Sequence, residues 1–269
     1  MSERVLITGA AGQIGTHLRR TLARADRTLR LMDRVAMSAR DDNEAVEFAT
    51  ASFLDEAALD AAMRGVDAVI HLGGLATGGY TWADYVDTNI TGTRFVFEAA
   101  RRSGVTRVGF ASSHHVMGHH RSDVTEPISE YEAPEPDSYY AVSKVAGEAL
   151  GRLYHDRHAM DVVCLRIGSF RERPSDRRSL WNWLSPDDCT RLFEAALRSP
   201  APGFRIVWGV SANTTRVVSL DEASAIGYRP LDDAERYRDT VSPAPYDLDP
   251  EQSILMGGDF TAPDFDEGG

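Results

Sequence analysis

Tyr140 and Lys144 stand four apart in "SYYAVSKVAGEALGRLY". On a helix that spacing stacks a phenol and an ammonium on one face. A free phenol ionises near 10 and is a poor base at neutral pH. A neighbouring cation favours the phenolate and lowers its pKa toward a working range. Composition sharpens the pair: of 29 basic residues, 28 are Arg and Lys144 is the one Lys. With nine tyrosines in 269 residues, chance would place that Lys four after a Tyr about 3% of the time.

A second chemical cluster is "FASSHHVMGHH", residues 110–120, with Ser112, Ser113 and four of the eight histidines. His115 and His119 are four apart, but Gly118 and the end of a strand break any continuous helix through them. Spacing supplies no third ligand, so no metal site is expected. His114 and His115 are read as pocket residues, His119 and His120 as loop residues.

These side chains need a scaffold. "RVLIT" (4–8) reads as a buried strand, followed by a Gly-rich turn and a helix from about Gly12 to Ala25. Strands are expected at 28–33, 45–49, 66–72, 106–112 and 161–169, and helices at 55–65, 82–102 and 138–156. This alternation predicts an α/β fold, a Rossmann-type doubly wound parallel sheet. Residues 1–169 would form the nucleotide-binding domain. Residues 170–269, with short helices around one strand ("FRIVWG"), would form a small C-terminal substrate lobe packed on it, not folding independently. The acidic end from about 262 reads as a mobile tail.

"TGAAGQIG" puts Gly9, Gly12 and Gly15 between the first strand and first helix, with Gln13 and Ile14 opening the helix. Such glycines let a pyrophosphate approach the backbone at a helix N-terminus. Asp33 ends the second strand, 18 residues after Gly15, where a carboxylate accepts from ribose hydroxyls and repels a 2′-phosphate. NAD is therefore favoured over NADP. A Lys opposite this site could also bond the nicotinamide ribose, which suits a compact ammonium better than Arg.

The net charge of −12 argues against nucleic acid as a partner. No run approaches 18 apolar residues, so no membrane span is expected, and the strand pattern at residue 4 leaves no room for a signal peptide. Cys164 and Cys189 fit a reduced, cytoplasmic chain.

Taken together, Gly9-x-x-Gly12-x-x-Gly15, Asp33, the Ser ending "FASS" and Tyr140-x-x-x-Lys144 resemble the extended short-chain dehydrogenase/reductase superfamily. Within it the chain is similar to NAD-dependent uronate dehydrogenases, on "AVIHLGG", "FASSHHVMG", "LRIGS", "RRSLWNWLSPDD" and "IVWGVSAN". The resemblance implies Ser113, Tyr140 and Lys144 as catalytic residues. It implies NAD contacts from Gly9, Gly12, Gln13, Ile14, Gly15, Asp33, Leu72, Gly73, Asn89, Tyr140, Lys144 and Ile167. Substrate contacts would come from Ala76, Ser113, His114, His115, Tyr140, Ser169 and Arg178, whose guanidinium would fork onto a carboxylate. The implied reaction takes a hexuronic acid, galacturonate or glucuronate, to its aldarolactone, in a homo-oligomer. Four departures stand out. Relatives often carry an aspartate in the place of Ser52, near the adenine, a serine at Ala76, an asparagine at His114, and paired aromatics after "WGVSAN" where this chain reads "TTRVV".

Two other readings use the same residues. A sugar-nucleotide epimerase or reductase shares every cofactor and catalytic residue named, although the C-terminal lobe is small for a nucleotide-sugar. A non-catalytic NAD-binding sensor would be marked by loss of the Tyr or Lys, and both are present.

Overall fold

The computed structural model describes residues 2–76, 79–242 and 253–266. In chain order its elements begin with β1 (Glu3–Thr8), α1 (Gln13–Leu22), β2 (Arg27–Asp33), β3 (Val46–Thr50), α2 (Glu56–Met63) and β4 (Ala68–His71). Next come α3 (Trp82–Tyr85), a π-helical turn (Val86–Thr91), α4 (Gly92–Arg102), β5 (Arg107–Ser113) and a 3-10 turn (His114–Met117). The remainder is α5 (Tyr139–His158), β6 (Asp161–Ile167), β7 (Ser169–Phe170), α6 (Ser179–Asn182), β8 (Trp183–Leu184), α7 (Pro186–Arg198), β9 (Phe204–Gly209) and α8 (Asp221–Ala225).

Seven strands pair in the order β3-β2-β1-β4-β5-β6-β9, all parallel. Their near-continuous apolar runs follow from burial on both faces. Along β1, Val5 and Ile7 pack with Leu18 and Leu22 of α1 and Leu192 and Phe193 of α7. Leu6, pointing the other way, packs with Leu59 and Met63 of α2 and Val96 and Phe97 of α4. The strand order reverses on either side of β1, and ligands of such sheets bind at the strand ends beside that point. There Thr8 Oγ1 and Thr93 Oγ1 hold the two ring nitrogens of buried His71, at 2.6 and 3.0 Å.

The structure departs from the sequence expectations in three places. Residues 204–209 pair with β6 as the seventh strand, so the sheet runs on past residue 169. The helix over 82–102 is interrupted by the π turn, which widens it where Asn89 turns inward. Residues 253–266 are docked: Ser122 N–H donates to Ile254, Met256 N–H to His120 and Gly257 N–H to Gly118. Apolar Met256 and Phe260 in that stretch supply what a wholly acidic tail would lack; 267–269 lie outside the described residues.

A buried ion pair fixes the helix that carries Tyr140 and Lys144. Glu148 of α5 takes two hydrogen bonds from Arg166 of β6, both 2.9 Å, and one from Ser112 Oγ of β5 at 2.6 Å. Arg166 also donates to the Glu130 carbonyl at 3.1 Å, so every charged atom here has a partner close by.

Candidate active site

A cavity of about 650 Å³ opens along the C-terminal ends of the central strands. Gly9, Gly12, Gln13, Ile14, Gly15 and Asp33 line one end; Ser113, Tyr140 and Lys144 line the other. Gly9 has φ +70°, and a Cβ there would lie 2.7–2.9 Å from the backbone of Leu72 and Gly73. A Cβ on Gly15 would lie 2.6–2.7 Å from Ala10, so glycine is needed for α1 to start this close to β1. Gly12 caps α1 without a side-chain hydrogen bond, and the first turn holds no acid. Asp33 accepts from Ala11 N–H at 2.9 Å and Val35 N–H at 3.0 Å, which ties the glycine turn to the end of β2.

At the far end, Ser113 finishes β5 and caps the following 3-10 turn by accepting from His115 N–H. Ser138 caps α5, presenting Tyr140 and Lys144 in its first turns. Lys144 Nζ donates to the Ala111 carbonyl at 2.9 Å and lies 5.6 Å from the Tyr140 ring centre. Burial pushes the Tyr140 phenol up to about 12, while its hydrogen bond with Ser113 pulls the other way. Burial brings Lys144 down to about 8. The lowering of the phenol expected from Lys144 is not found; desolvation is the larger effect in so enclosed a place.

The two pocket histidines are both neutral. Burial, then the neighbouring His115 and Arg178, holds His114 well below its usual value; burial and Arg178 bring His115 to about 3. A neutral His114 must donate from Nδ1 to the Ile167 carbonyl at 3.2 Å, which leaves Nε2 a buried acceptor with no partner. His115 Nδ1 lies 2.6 Å from Asp137, whose carboxyl burial raises to about 6. Phe260 of the docked C-terminal segment stacks on His115 with ring centres 3.9 Å apart, and Phe265 stacks on Phe260.

Leu72, Gly73, Ala76, His114, His115, Ile167 and Ser169 also line the cavity. Two expected residues do not. Asn89 is buried and spends its amide on both backbone groups of Leu75 and on Ser143 Oγ, so it anchors the 74–76 loop from behind. Arg178 sits behind the histidines, donating from Nη1 to the Met256 carbonyl at 3.0 Å, with Gly258 packed on its guanidinium. Sequence reading missed Asp137 and Phe260. Asp137 directly precedes the helix cap in "PDSYY", a usable signal; Phe260 had only its apolar character in an acidic stretch to mark it. Among the described residues, no three His, Cys, Asp or Glu side chains are grouped to hold a metal ion, and no helix is long and apolar enough to cross a membrane. Cys164 and Cys189 are both buried and unbridged.

Residues 5–171 match the NAD dependent epimerase/dehydratase family. The uronate dehydrogenase of Pseudomonas syringae pv. tomato is 41% identical over 262 residues, covering 96% of this chain and 93% of that protein. An NAD-dependent glucose-6-phosphate dehydrogenase of Haloferax volcanii is 37% identical, covering 88% of this chain and 96% of its own. The solved structure of a glucuronic acid dehydrogenase from Chromohalobacter salexigens superposes with a TM-score of 0.91 at 34% identity, each chain covered in full. The chain belongs to the NAD dependent epimerase/dehydratase family, as an NAD-dependent enzyme similar over nearly its whole length to uronate dehydrogenases.

Proposed function

We propose that the protein oxidises a hexuronic acid, galacturonate or glucuronate, at C1 to the aldarolactone. The observation that carries this reading is the convergence of Ser113, Tyr140 and Lys144 on one end of a cavity whose other end is the glycine turn. The cavity fits a dinucleotide: Gly9 and Gly15 let the turn and α1 pack closely on Leu72–Gly73 and Ala10, the start of α1 lines one end of the cavity, and Asp33 stands there for the ribose. Gly9, Gly12, Gln13, Ile14, Gly15, Asp33, Leu72, Gly73 and Ile167 would hold NAD, with Tyr140 and Lys144 at its nicotinamide ribose. NAD, when bound, supplies the hydride acceptor at nicotinamide C4.

Ser113 would hydrogen-bond the C1 oxygen, and Tyr140 would take its proton. Lys144, held against the Ala111 carbonyl, would balance the phenolate charge. The open acceptor at His114 Nε2 suits a sugar hydroxyl, as does the Ser169 hydroxyl. Arg178 does not line the cavity, but its charge acts on both histidines and would draw the substrate carboxylate toward that end. Phe260 and His115 would keep water from the reacting carbon. We also infer that copies associate through the exposed apolar face formed by Trp82, Tyr139 and Val142.

NADH absorbance with NAD and a panel of sugars tests the reading. Galacturonate or glucuronate should drive NADH formation, and Tyr140→Phe should cut kcat on the order of 10²–10⁴-fold. Glucose 6-phosphate belongs in the panel, because it shares a C1 hydroxyl and an anion at C6. UDP-sugar turnover without net NADH, or intact uronate oxidation in Tyr140→Phe, would overturn the proposal.

A further inference from the structure

Arg171 lines the same cavity, and no part of the function proposed above uses it. It is exposed, and its side chain has no hydrogen-bond or ion-pair partner among the described residues. Its backbone is held firmly: Arg171 N–H donates to Leu184, and its carbonyl accepts from Trp183 Nε1 at 2.8 Å. Phe170 packs against the core with its ring 5.6 Å from the His17 ring of α1. Ser169, Phe170 and Arg171 all line the cavity, so this short segment forms one of its walls.

The contact of Phe170 with His17 places this segment over the first turns of α1. At that helix start Gly12 offers no capping side chain, and no acid lies in the first turn. Gly12, Gln13 and Ile14 of that helix start line the same cavity as Arg171. We infer that Arg171 binds the pyrophosphate of the dinucleotide from the wall opposite the glycine turn, completing a clamp with the α1 N-terminus. In a chain of net charge −12, an anion needs such specific donors, and Arg suits a phosphate oxygen pair. The inference concerns the cofactor only and holds whichever sugar is oxidised.

The test is calorimetric binding of NAD, ADP and adenosine to Arg171→Gln and Arg171→Lys, without sugar. Arg171→Gln should weaken NAD and ADP about tenfold, the size of one charge-assisted contact, and leave adenosine unchanged. Arg171→Lys should recover part of the loss, and the salt dependence of NAD binding should flatten in Arg171→Gln. Unchanged NAD and ADP affinity, including the case where only the sugar KM rises, overturns the clamp. An equal loss for adenosine overturns it too, since the effect would then be structural.

Discussion

At Tyr140 and Lys144 burial acts on two opposite kinds of charge, raising the phenol to about 12 and lowering the ammonium to about 8. If the phenolate is the base and the ammonium must be charged, activity depends on the product of the two fractions. Below pH 8 the ammonium is charged and the phenolate fraction climbs about tenfold per unit. Above 8 the loss of the ammonium offsets the further gain in phenolate. The initial rate should rise from pH 6 and level off near 8; a rate flat from pH 6 would contradict this assignment. The Tyr–Lys pair was legible in the sequence because helical spacing is local. The strength of burial was not, because it comes from Tyr85, Phe110 and His115, which other segments bring in.

Between elements, the Glu148–Arg166 pair is what joins α5 to the ends of β5 and β6. Both side chains are nearly fully buried, so removing one leaves the other charge without its counter-ion. Arg166→Met should destabilise the fold by about 3–5 kcal/mol, and Glu148→Leu in the same chain should recover most of that. Urea unfolding of the single and double variants measures it; equal losses would mean that packing, not charge, dominates. The strand–helix alternation of 3–71 and 107–167 was readable from periodicity. The pairing of β9 with β6 was not, since parallel partners far apart in sequence leave no local pattern. Asn89 and Arg178 show the same limit for side chains. The family resemblance implied ligand contacts for both, while their directions are set by a π turn and by the Met256 carbonyl.

For the whole molecule, Trp82, Tyr139 and Val142 form an apolar patch on α3 and α5, with the Trp82 and Tyr139 rings 5.3 Å apart. Patches of large apolar side chains on a charged surface mark association sites. Light scattering after gel filtration should give a dimer or larger species, reduced to monomer by Val142→Glu. A monomeric parent chain would remove this face from consideration. The docking of residues 254–266 bears on how the protein can be handled. Backbone hydrogen bonds join 254–257 to 118–122, Phe260 lies on His115, and Tyr139 N–H donates to Asp266. Any load that pulls on 254–266 would tug on the segment that covers His115. β1 runs from Glu3 toward the cavity, so its first residues lie at the opposite end of the strands. That end is the safer anchor for a label, a surface or a second enzyme.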